Sequence, residues 1–132
     1  MSYELTIRDE TASGQILQEI VLKLKDQLTT VEEIIKARVI HEVASHNNNQ
    51  TNLFKGLVQP LETEVSSKGF RFRKKPKSID PDKQISTALK AFKSNGFFVL
   101  IGAQQYEHLD SEVLLEPDTT VSFIKLTPLV GG

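Results

Sequence analysis

The stretch Thr119-Thr120-Val121-Ser122-Phe123-Ile124-Lys125-Leu126-Thr127-Pro128-Leu129-Val130-Gly131-Gly132 decides how this chain is read. Its first eight residues are mostly β-branched, aromatic or aliphatic, as a strand requires, and Val121, Phe123 and Ile124 are its core candidates. Pro128 fixes one φ angle and lacks an N–H for a sheet ladder, so the strand should stop before it. Leu129, Val130, Gly131 and Gly132 follow. Glycine, having no Cβ, fits a narrow channel and takes backbone angles closed to other residues. Residues 127–132 are therefore expected to form an exposed tail that leaves the end of a strand.

Working outward, Glu112-Val113-Leu114-Leu115 reads as a short strand and Pro117-Asp118 as the turn after it. Phe97-Phe98-Val99-Leu100-Ile101 is a continuous apolar run, the pattern of a strand buried on both faces. Before it, Asp80-Pro81 is an N-cap followed by proline at the first helical position. Ile85, Ala88, Leu89 and Phe92 supply that helix's apolar face, and Asn95-Gly96 stops it. Farther back, Phe54, Leu57, Val58 and Leu61 are apolar enough to pack, but Gly56 and Pro60 interrupt any regular element. Phe70-Arg71-Phe72-Arg73 alternates like a short strand.

The opening reads as a hairpin. Tyr3, Leu5 and Ile7 alternate with polar residues, Asp9 to Gly14 gathers turn formers, and a second strand runs from Ile16 to Leu24 with Ile20, Leu22 and Leu24 on one face. Thr30-Val31-Glu32-Glu33 is then a capping box, and Val31, Ile35, Val39 and Val43, with Ile34 beside them, form one stripe of an amphipathic helix that fades near Asn47-Asn48-Asn49.

The 132 residues suffice for one domain, and 39% apolar with 25% charged residues is an ordinary globular balance. A net charge of −1 predicts neither nucleic acid nor a membrane as partner of the whole molecule. The absence of cysteine excludes a disulfide framework, a thiolate metal site and a cysteine nucleophile. The first residues show neither a basic start nor an apolar stretch, so the cytoplasm is the expected location.

The order hairpin, helix, inserted region, strand, short strand and final strand, followed by Pro128-Leu129-Val130-Gly131-Gly132, resembles the β-grasp fold of the ubiquitin-like and sulfur-carrier family. The tail is similar to that of the small molybdopterin-synthase subunit, of the thiamine sulfur carrier, and of bacterial ubiquitin-like proteins ending in Pro-Leu-Val-Gly-Gly. The resemblance implies an α+β fold: a mixed sheet whose last strand lies centrally, parallel to the first, with one main helix. It implies a single domain over residues 1–132, in which residues 49–96 form a helix-containing insertion before the third strand, far longer than compact members carry. It also implies that the chain is no enzyme and needs no cofactor. Gly132, with Gly131, would be the acyl donor, and Pro128, Leu129 and Val130 the recognised tail. An ATP-dependent adenylating enzyme would activate the carboxylate. A modifier would then pass through a conjugating enzyme to an isopeptide bond on a target, reversible by an isopeptidase; a sulfur carrier would take up sulfide as a thiocarboxylate. A non-covalent interaction module is the third reading. In such proteins the outer sheet face is a common docking surface, for which Phe123 and Leu126 are the candidates.

Six of the ten residues from Lys68 to Lys77 are basic: Lys68, Arg71, Arg73, Lys74, Lys75 and Lys77. They read first as a solvated edge, then as a protein-docking patch, and last, with Phe70 and Phe72 interleaved, as a single-strand nucleic-acid track. His41 and His46, five apart, should not share a helix face as a metal pair would, and surface or capping roles are expected of them.

Overall fold

The computed structural model describes residues 2–126. Strands β1 (Tyr3–Thr11) and β2 (Ile16–Leu24) open it, and the short β3 (Leu28–Thr30) runs straight into helix α1 (Val31–Asn48). Next come β4 (Leu53–Phe54), β5 (Thr63–Ser66), β6 (Gly69–Phe72) and helix α2 (Pro81–Lys93). Strands β7 (Phe97–Ile101), β8 (Gln104–Tyr106), β9 (Glu112–Leu114) and β10 (Thr120–Lys125) follow.

The main sheet has the order β2-β1-β10-β7-β8. β10 is its centre: it runs parallel to β1, with Ile7 opposite Val121, and antiparallel to β7, with Val99 opposite Phe123. The fold is thus α+β with a mixed sheet and two helices. Two smaller sheets, β3-β9 and β4-β6-β5, flank it. Among the described residues, no helix is long and apolar enough to cross a membrane.

The helices begin where their caps place them. The Thr30 hydroxyl accepts the N–H of Glu33, and the Asp80 carboxylate accepts that of Asp82 ahead of a helix whose first residue is Pro81. One face of the main sheet presents Leu5, Ile7, Leu22, Val99, Val121 and Phe123 to the α1 stripe of Val31, Ile34, Ile35, Val39 and Val43, all buried. Each such side chain contributes about 1.5–3 kcal/mol by leaving water. Helix α2 packs along α1, and Phe92, Phe97 and Phe123 form a chain of tilted rings with centroids 5.9 and 5.8 Å apart.

Several expectations need correction. The first turn starts later than composition suggests: Asp9, Glu10 and Thr11 belong to β1, and the 9–10 step carries a register shift against β2. The run Phe97–Ile101 is sealed on one face only, because Phe97 and Val99 are buried whereas Phe98 and Leu100 are half-buried. Ile124 points the same way as Phe98, its partner across the ladder, and is likewise only half-buried. Leu61 does not pack; it is 77% exposed.

The region between the helices is organised rather than irregular. β5 and β6 form a hairpin whose partner, β4, closes a three-stranded sheet. Gly69 makes this turn possible: its φ is +142°, and a Cβ there would lie 2.8 Å from the Phe54 carbonyl oxygen.

Candidate functional site

Pro128, Leu129, Val130, Gly131 and Gly132 lie outside the described residues, but the root from which they continue does not. That root is the end of β10, where Lys125 faces Thr11 across the parallel ladder and Leu126 is 47% exposed. The strand alternation turns Val121, Phe123 and Lys125 to the same face, so the lysine enters the molecule beside the core.

There it joins a buried group of charges assembled from three elements, β1, α1 and β10. Arg38 of α1 is fully buried and donates through both terminal nitrogens to the Asp9 carboxylate of β1, the Nη2–Oδ2 bond being 2.6 Å. Its Nε donates to Glu42, one turn along, at 3.3 Å, and the guanidinium lies 4.6 Å above the centre of the Phe123 ring. The second Glu42 oxygen accepts the Leu57 N–H at 3.0 Å. Lys125 Nζ stands 3.8 Å from Asp9 and donates to the Gly56 carbonyl at 2.7 Å. Gln18 of β2 donates to both Asp9 (2.7 Å) and the Lys55 carbonyl (3.0 Å). Gly56 must be glycine here, because a Cβ would collide with the Phe54 ring.

Two carboxylates and two cations balance, and the hydrogen bonds satisfy the charges that burial strips of water. Burial works against ionisation of Asp9, but the bonds and charge of Arg38, with Lys125 and Gln18, outweigh it and hold the carboxyl below its ordinary value. Glu42 goes the other way: burial raises its pKa more than Arg38, Leu57 and Lys125 lower it. For Lys125 burial is again the largest influence and lowers its pKa, with Asp9 and Glu42 opposing. The arrangement fixes the end of β10 to β1, to α1 and to the loop 55–57 at once.

On the opposite face of the sheet, Phe98, Leu100 and Ile124 lie together, with Ile124 opposite Phe98 and Leu100 opposite Ser122. Ile16, 49% exposed, lies farther out on β2, where Glu10, its partner, separates it from Ile124. The sequence-based candidate Phe123 is therefore misassigned: it is fully buried under Arg38, and the apolar residues that do face outward on β10 and β7 are Ile124, Phe98 and Leu100.

All six basic residues of the 68–77 run are exposed. The interleaved aromatics are not. Phe72 is buried and stacks on His46 at 5.2 Å, and Phe70 is half-buried against the core. His46 is correspondingly no surface residue: its Nε2 is 2.9 Å from the Lys77 carbonyl, and its ring meets Phe54 edge-on at 5.5 Å. His41, which is exposed, and His46, which is buried, lie on different faces of α1 as the five-residue spacing predicts, although both border one groove of about 480 Å³ beside Gln18 and Lys55.

Sequence reasoning missed Asp9, Arg38, Glu42 and Lys125 as a group, since they lie far apart in the chain. A signal existed: each occupies the next core-facing step of a pattern already recognised, Asp9 after Tyr3, Leu5 and Ile7, Lys125 after Val121 and Phe123, and Arg38 and Glu42 on the α1 stripe. Compared with known proteins, the chain matches no protein-family model, and no curated sequence or solved structure matches it significantly.

Proposed function

We propose that this chain is a β-grasp, ubiquitin-like modifier whose Gly132 carboxylate is activated by a partner enzyme and transferred to a thiol or an amine. The observation that carries the reading is the position of β10: it is central, parallel to β1, and leads at once into Thr127-Pro128-Leu129-Val130-Gly131-Gly132. The sheet order and the helix packed on one face support the β-grasp assignment, with residues 49–96 as an insertion in a single domain. The buried charges at Lys125 support a fixed starting point for the tail.

In this reading the chain supplies a carboxylate and a shape. An adenylating enzyme lets a Gly132 carboxylate oxygen attack the α-phosphorus of ATP, forming an acyl-adenylate with loss of pyrophosphate. An enzyme thiolate then attacks the acyl carbon and expels AMP, and a lysine amine of the target displaces the thiol to leave an isopeptide bond. Pro128, Leu129 and Val130 are the tail contacts, while Phe98, Leu100 and Ile124 offer an apolar docking face to the activating or conjugating enzyme. The reaction belongs to the cytoplasm, where its ATP and thiols are found.

Intact-mass measurement of the protein from its native cell tests this directly. A branched adduct through Gly132 is the expected result, and deleting Gly132 should abolish it. Replacement of one oxygen by sulfur would instead identify a sulfur carrier, favoured less because the 49–96 insertion exceeds what a minimal sulfur donor needs. Unmodified protein only, or residues found beyond Gly132, would leave a non-covalent module.

A further inference from the structure

We infer that residues 49–80 form a pre-organised basic lobe that docks on an acidic protein surface. Between these positions the sequence has seven Lys or Arg and three Asp or Glu, which leaves nine and fourteen for the remainder. The overall −1 therefore conceals a lobe of +4 on a body of −5. Such a separation orients the molecule in a partner's field before contact and raises its association rate with a surface of opposite sign.

The charge is held on a firm support. Beneath β4, β5 and β6, Phe54 and Phe72 enclose the His46 ring. Around the margin, Asn47 of α1 donates to the Ile79 carbonyl at 3.1 Å and accepts its N–H at 2.8 Å, Gln84 of α2 donates to the Val58 carbonyl at 3.1 Å, and Lys125 donates to that of Gly56. On top, among the described residues, Lys77 is the only one of the six basic residues in an ion pair, with Glu62 at 2.8 Å. Lys68, Arg73, Lys74 and Lys75 are left directed at solvent, with Arg71 beside Glu64 across the hairpin. A backbone already held in place loses little freedom on binding, so only the basic side chains remain to be ordered.

The details favour a protein over a nucleic acid. Single-strand binding relies on aromatic platforms for the bases, and here Phe72 is covered by His46 while Phe70 packs inward. The body's charge of −5 would also repel any phosphate backbone extending past the lobe, whereas a bounded acidic patch would not meet it.

The inference goes beyond the acyl-donor reading, and its test keeps the two apart. A photo-crosslinking residue replaces Ser67, which is exposed in the lobe's hairpin turn, or Lys23, exposed on β2, as the control, and the full chain is irradiated in its native cell. From position 67 the expected adduct is a protein peptide rich in Asp and Glu, at least tenfold more abundant than from position 23. Its yield should fall at least tenfold in the K68E/R73E/K74E/K75E variant, and should fall by a smaller factor in the matching glutamine variant. Both must keep the parent's thermal midpoint within a few degrees. Lysine substitution of the partner's acids should restore capture by the reversed variant. Deleting Gly132 should leave the yield unchanged, so loss of the modifier reading would not touch this result. Adducts to nucleic acid, equal yields from both positions, or indifference to charge reversal would overturn the proposal.

Discussion

Two concentrations of charge occur in this molecule, and they obey opposite rules. At the root of β10, Asp9, Arg38, Glu42 and Lys125 are of balanced sign, inside the protein, and held by hydrogen bonds of defined length. Across the β5–β6 hairpin and the loop after it, Lys68 to Lys77 are of one sign and in water. In the first group the low dielectric makes every interaction strong and every missing partner expensive. In the second, solvent and salt screen the charges, so they contribute little to stability and remain available to something outside. Their roles differ accordingly, since the inner group holds distant parts of the chain in register and the outer one presents a field.

Three experiments can break or sharpen this contrast. The largest effect is expected from Arg38→Met, which leaves Asp9 and Glu42 buried without their shared cation; urea unfolding should show a loss of about 3–5 kcal/mol. A loss below about 1 kcal/mol would mean that the interior group is incidental to the fold.

Asp9→Asn comes next, at about 2–3 kcal/mol for weakened charged hydrogen bonds. It also carries a pH signature. Asp9 has a folded pKa below the ordinary 3.8, so its contribution is fully present above that value and is lost as pH falls through the lower, folded one. Unfolding midpoints measured from neutral pH downward should lose that acid-side decline in the variant. Glu42, raised by burial, contributes with the opposite sign: stability decreases as pH rises from its ordinary 4.5 toward the folded value. A variant that kept the full decline below 3.8 would assign it to other carboxylates.

The smallest effect belongs to the exposed group. K68E/R73E/K74E/K75E should change unfolding free energy by no more than about 0.5 kcal/mol. Raising the salt concentration should narrow even that difference, while leaving the Arg38→Met loss nearly intact.

The same contrast explains what could be read from the sequence. Local signals spoke clearly: Thr30 with Glu33, Asp80 with Pro81, and the spacing of Val31, Ile35, Val39 and Val43 each depend on residues a few positions apart, and each element formed as they indicate. The basic run was legible for the same reason, being contiguous. The inner group was not, because polarity argued for solvent at each of its positions taken singly, and only a partner 29 residues away, from Asp9 to Arg38, makes burial tolerable. His46 and Phe72 illustrate the same point, since each conceals the other. Strands β4 and β8 escaped notice because two or three residues give no period to measure. The candidate site was half visible: its tail in plain text, its foundation only in three dimensions.

The central place of β10 bears on how the molecule comes into being. It is the last described strand to leave the ribosome, yet both halves of the sheet wait for it, β1 on one side and β7 on the other. Until residues 120–125 emerge, the nascent chain carries two hairpins with open inner edges and no shared neighbour. The sheet therefore cannot close before that strand is made, and a chain cut just short of it would display a half-built product that is ready to aggregate.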